Sequence, residues 1–220
     1  MRYIVLLLLT VGTISTQAQD FIKARIKHRG AESVAYSPDA QFIALNSFQD
    51  VIVYSAATGV PFKTLAGLTS KATKVTFSPD GLKVMASSAD GKILIWTIAS
   101  GEVETRIVEK GDMRSALFLN NDEIIYASDE WVKRYSLTKK QAVWTTPYKG
   151  KNLRALATNG TYIAAGGSDN MIYMLNMTDG SLHTALTFHT NWVRSLAFHP
   201  SKPLLASGAD NGQVVIWDLD

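Results

Sequence analysis

A block of eight residues returns five times at a nearly fixed interval, and this repetition constrains the chain more than any other feature. In order the copies read AESVAYSP (Ala31 to Pro38), ATKVTFSP (Ala72 to Pro79), MRSALFLN (Met113 to Asn120), LRALATNG (Leu153 to Gly160) and VRSLAFHP (Val193 to Pro200), and their last residues stand 41, 41, 40 and 40 apart. A second series, Tyr54, Trp96, Tyr135, Leu175 and Trp217, keeps the same period and closes a later apolar stretch in each unit. Two markers in one register define a repeat array, in which each unit buries its apolar face against its neighbours. The 220 residues therefore read as one domain of five stacked units.

Inside a unit the residues alternate as strands do, for example Lys92, Ile93, Leu94, Ile95, Trp96, and Pro-Asp-Gly, Ala-Asp-Gly and Ser-Gly turns punctuate them. The last unit divides into strands Val193 to Phe198, Leu204 to Gly208 and Gln213 to Trp217. Earlier units add a fourth, at Pro61 to Leu65, Val103 to Ile107, Ala142 to Thr146 and Leu182 to Thr187. Four antiparallel strands per 40 residues predict one propeller blade per repeat. The repeats span about 28–67, 68–109, 110–149, 150–187 and 188–220.

Residues 1–19 differ in kind from the rest. Arg2 precedes the apolar run Tyr3 to Val11, and a polar stretch of small and amide residues follows, the build of a secretory signal peptide cleaved after Ala18 or Gln19. Removing Arg2 with it takes the net charge from +3 to 21 minus 19, or +2, and the cations are interspersed with acids, so nucleic-acid binding is not expected. The apolar run is about half of what a bilayer crossing needs, and no other segment comes closer, so no membrane span is expected in the mature chain, residues 20–220. With no cysteine, disulfides, thiolate metal ligands and cysteine nucleophiles are excluded. Such an exported chain is expected in the periplasm or outside the cell, in a bacterial setting more than a eukaryotic one.

The repeats resemble the WD40 family over nearly the whole chain after the leader. His189, Trp192 to Pro200, Ala206 to Gly208, Asp210 and Trp217-Asp218 carry the resemblance best, and the second repeat matches through Phe77 to Gly81, Ala86 to Ser88, Asp90-Gly91 and Trp96. The resemblance implies an all-β propeller, and a hydrogen-bonded set inside the blade formed by His189, Ser207, Asp210 and Trp217, with Ser87, Asp90 and Trp96 as its partial copy. These residues are structural, since a buried indole N–H, hydroxyl or imidazole is costly unless paired. A Ser-His-Asp triad is disfavoured because Ser207 sits on a strand without a G-x-S-x-G elbow. Two closures stand open: Phe21 to Lys27 (FIKARIK) pairing with Gln213 to Trp217 as the missing outer strand of a five-bladed ring, or a truncated chain whose family precedent is seven blades.

In a propeller the first strands line the channel, so one column of the repeated block converges there. That column holds Glu32, Thr73, Arg114, Arg154 and Arg194, and three arginines on consecutive blades form a basic arc suited to a carboxylate or phosphate. Trp192, beside the last of them, is the aromatic most suited to an interface. The methionines Met113, Met171, Met174 and Met177 read as blade packing rather than a soft-metal site. No Walker loop, G-x-G-x-x-G, H-E-x-x-H or calcium loop occurs, so no cofactor, metal or catalytic residue is expected. The expected function is a non-catalytic, exported protein-interaction scaffold whose partner presents an acidic loop. The alternative is the propeller of a larger exported enzyme whose catalytic domain follows Asp220.

Overall fold

The computed structural model describes residues 30–220. The expected leader of residues 1–19 and the expected closing strand Phe21 to Lys27 lie outside them. Among the described residues there is no helix, and nineteen strands form five antiparallel sheets. Sheet one comprises β1 (Val34–Tyr36), β2 (Phe42–Ser47), β3 (Asp50–Ser55) and β4 (Pro61–Leu65); sheet two β5 (Ala72–Phe77), β6 (Lys83–Ser88), β7 (Lys92–Thr97) and β8 (Val103–Val108). Sheet three comprises β9 (Met113–Phe118), β10 (Glu123–Ser128), β11 (Trp131–Ser136) and β12 (Gln141–Pro147); sheet four β13 (Ala155–Thr158), β14 (Tyr162–Gly166), β15 (Met171–Asn176) and β16 (Leu182–Thr187). Sheet five has three strands, β17 (Val193–Phe198), β18 (Leu204–Ala209) and β19 (Val214–Asp218). Each sheet pairs its strands in chain order, the meander of a propeller blade.

The first turn of each blade explains the recurring Ser-Pro-Asp. Ser78 Oγ donates to Asp80 Oδ1 (2.6 Å) and accepts from the Lys83 N–H (3.0 Å), and Ser37 does the same with Asp39 and Phe42. The side chains thus satisfy the backbone at the reversal. Where the motif is lost, a substitute acceptor appears: Asn120 Oδ1 in blade three, Asn159 Oδ1 in blade four, His199 Nδ1 in blade five.

Apolar packing lies between blades. Ala44, Val51 and Val53 meet Val75, Val84 and Trp96; Met85, Ile93 and Ile95 meet Ile124 and Tyr126; Ile125 and Val132 meet Leu156 and Ile163; Ala164, Ile172 and Met174 meet Val193 and Leu205. Four such clusters join five blades in series. Met113 and Met174 are buried in them, and Met171 and Met177 pack against them. The inner strands follow one another in the order β1, β5, β9, β13, β17. Among the described residues β1 and β17 do not pack together in this way, and both outer flanks are uncovered, with Val34 and Tyr36 exposed on the first blade and Val214 and Ile216 on the fifth.

The second sequence marker has a structural counterpart. In every four-stranded blade the register between third and fourth strands slips immediately before the marker residue, at Val53/Tyr54, Ile95/Trp96, Arg134/Tyr135 and Met174/Leu175. A bulge at that point bends and twists the sheet, and Trp96, Tyr135 and Leu175 turn there into the interblade clusters.

Candidate binding face and its arginine cavity

A second series of bulges builds the site. Ala72 pairs with Ser88 and Lys74 with Ser87, so Thr73 is the extra residue of β5. Arg114 holds the same place between Met113 and Ser115 on β9, and Arg194 between Val193 and Ser195 on β17. Arg154 precedes β13, its N–H donating to the Gly166 carbonyl at 2.8 Å. A bulge re-aims the side chain of its extra residue. Here it turns the column toward a cavity of about 240 Å³ lined by Glu32, Thr73, Lys74, Arg114, Arg154 and Arg194, among others. All five members of the predicted column therefore meet at one place.

The three arginines differ in their partners. Arg194 grips Asp210 in a bidentate pair, Nε to Oδ1 at 2.6 Å and Nη2 to Oδ2 at 2.5 Å, and this holds the Asp210 carboxyl below the usual range. Arg114 pairs with Asp112, and at the other end Glu32 pairs with Lys71 rather than with an arginine of the arc. Arg154 has no carboxylate partner among the described residues. Its guanidinium lies 4.7 Å from the Trp192 ring centroid, with that of Arg194 at 5.1 Å, so Trp192 carries two cations on its ring system. Burial, then the charges of Arg114 and Arg194, push the Arg154 pKa down, against Asp129 and Asp112. Arg154 Nε, Arg114 Nε and Asp129 Oδ1 are buried without a hydrogen bond.

The same rim carries exposed aromatics. Phe48, 71% exposed at a φ of 41°, forms the β2–β3 turn, where its carbonyl accepts from the Ala72 N–H beside Thr73. Phe188, at 62%, follows β16 at the end of the blade where Val193 N–H reaches the Gly167 carbonyl. Trp192 is 38% exposed. A larger depression of about 560 Å³ lies among Tyr36, Phe42 and Phe62 on the flank of blade one, away from the arginines.

The expected structural set is partly rearranged. Trp217 Nε1 donates to Ser207 Oγ (2.8 Å), which lies 2.6 Å from His189 Nε2, while His189 Nδ1 faces Gln213 Oε1 at 3.0 Å. Every group is paired when Ser207 O–H donates to Nε2 and Nδ1–H donates to Gln213. Asp210 stands outside this set, because Arg194 takes both of its oxygens and an amide replaces it at the imidazole. In blade two Ser87, Asp90 and Trp96 are not joined at all. Lacking a histidine to bridge them, Ser87 Oγ meets Thr73 Oγ1 at 3.0 Å, Asp90 takes Ser88, Thr69 and Lys92, and Trp96 Nε1 donates to the Ala66 carbonyl at 2.8 Å. The sequence reading missed the ion pairs of the column: Asp210 was expected at the imidazole rather than on Arg194, and Asp112 was not singled out, although the turn aspartates Asp90, Asp129, Asp169 and Asp210 recur with nearly the period of the arginines.

The family described as WD domain, G-beta repeat matches residues 59–97 and 180–218. The U3 snoRNP-associated protein-like EMB2271 of Arabidopsis thaliana is 28% identical over 160 residues, covering 72% of this chain and 29% of that protein. The nuclear distribution protein PAC1 of Arthroderma otae is 25% identical over 169 residues, 76% of this chain and 33% of its own. The WD repeat and HMG-box DNA-binding protein 1 of Xenopus laevis is 26% identical over 150 residues, 67% of this chain and 13% of its own. The chain spans a third or less of the length of these relatives.

Proposed function

This chain is a WD40 repeat protein, and on that premise we propose that it is a non-catalytic protein-interaction scaffold whose partner docks an acidic loop on the rim carrying the arginine column. The observation that carries the reading is the meeting of Arg114, Arg154 and Arg194 at one cavity beside Trp192, on a rim that also exposes Phe48 and Phe188. Aromatic and arginine side chains together are the composition of interface hot spots. Two arginines already bound to carboxylates favour a partner that inserts one further acid over a polyphosphate backbone. The absence of catalysis is supported by Ser207 and His189, which are both buried, with the serine oxygen engaged by Trp217. No helix among the described residues is long and apolar enough to cross a membrane.

The test compares partners retained by the wild-type chain with those retained by a Phe48→Ser, Trp192→Ala double variant of unchanged melting temperature. Loss of the partner in the variant, and weaker capture as salt rises, is expected. Equal retention would overturn the reading. Export belongs to the same proposal, resting on Arg2 and the apolar run Tyr3 to Val11. Protein isolated from its own cell is expected to begin at Gln19 or Asp20, and retained Met1 would reject it.

A further inference from the structure

The charges around the arginine cavity do not cancel, and the surplus is localised. Of the side chains lining it, Arg114 is neutralised by Asp112, Arg194 by Asp210, and Glu32 by Lys71. Arg154 and Lys74 line the same space, and neither has an ion pair among the described residues. The Arg154 guanidinium is also the one flanked by its two fellow arginines and set against Trp192. Holding a cation there without an ion-paired carboxylate is unfavourable, because burial weakens its hydration and the neighbouring cations repel it, and Asp129 and Asp112 offset this only in part.

We propose that this cavity binds a single oxyanion group, a carboxylate or a phosphate, and that Arg154 is the residue that holds it. Three features fit. The planar fork of arginine matches both anions with two parallel N–H donors, and its contact with the Trp192 ring at 4.7 Å restricts the side chain before a ligand arrives. The volume, about 240 Å³, falls below the roughly 300–1,000 Å³ of sites that enclose whole small molecules, so the site takes the anionic end of something rather than an extended ligand. Arg194 acts through position. Its guanidinium also lies against Trp192, and it adds field while its Nε and Nη2 stay committed to Asp210. The proposal rests on the interface reading only for the source of the anion, which is either the acidic side chain of a partner or an ion free in solution.

The test follows the arginine Nε–Hε signals of the folded chain by nuclear magnetic resonance during titration with inorganic phosphate and, separately, acetate, at ionic strength fixed with chloride. A saturable shift centred on Arg154 is expected. Arg154→Gln should weaken binding at least about tenfold, the equivalent of one charge-assisted hydrogen bond. Arg154→Lys, which keeps the charge and loses the fork, should fall between the two, and provides the reading if the glutamine variant does not fold. No saturable shift with either anion at millimolar concentration, or binding unchanged in both variants, would overturn the site while leaving the scaffold to its own test. If phosphate saturates the site and displaces a captured partner, the partner's acidic group is the natural occupant. If it saturates the site and leaves the partner bound, the oxyanion site stands as one for a free anion, and the arc's part in partner docking falls.

Discussion

At the scale of single residues, Asp90 shows how this chain uses a carboxylate it does not bury deeply. Burial alone would raise its pKa, but hydrogen bonds from Lys92, Ser88 and Thr69 outweigh that and hold it at about 2. A carboxylate so depressed stabilises the fold above its unfolded value, and that contribution fades as pH falls from about 4 to about 2. Asp90→Asn should therefore cost about 1–2 kcal/mol at neutral pH, with the gap to wild type closing across that acid window. Urea denaturation at a series of pH values measures it, and a gap independent of pH would refute it. The sequence placed Asp90 correctly in a turn and wrongly in a set with Ser87 and Trp96. Residue type and spacing announce that an aspartate caps a turn, whereas its partners here include Lys92 of β7 and Thr69 of the loop before β5. The same limit hid the pairing of Asp112 with Arg114 and of Asp210 with Arg194.

At the scale of elements, the strands were legible nearly to the residue. Pro61–Leu65 and Leu182–Thr187 stand where alternation and turn chemistry put them, and Val103–Val108 runs one residue beyond the expected end. Bulges were not legible, since a slip of one residue is defined only against the partner strand. Turns carry the strictest local demands. Gly91, between β6 and β7, has a φ of 78°, and a Cβ there would lie 2.2 Å from the Glu109 carbonyl oxygen and 2.7 Å from that of Gly111. Both are backbone atoms of the segment that leads into the next blade, and the Glu109 N–H in turn donates to the Gly91 carbonyl at 2.8 Å. Gly91→Ala should thus lose about 2 kcal/mol or more, combining left-handed strain with a clash that no rotamer relieves. Thermal unfolding reads it; a melting temperature within a degree of wild type would show that the loop yields freely.

At the scale of the molecule, the five-unit period foretold an array without a central core, and four interblade clusters bear this out. The closing strand assigned to Phe21 to Lys27 lies outside the described residues. Stability in such an array is a sum over neighbours. Ile124→Ala, at the junction of blades two and three, should cost about 2–5 kcal/mol. Amide exchange should accelerate in those two blades while blade five changes little. Acceleration of equal size throughout would show instead that the array opens as one unit. The inner-strand bulges carry a consequence of another kind. Thr73, Arg114 and Arg194 are left out of the cross-strand pairing that fixes their neighbours, so their side chains are not chosen by the demands of the sheet. A lineage of such chains can rewrite these letters one blade at a time and acquire new ligands without renegotiating its architecture.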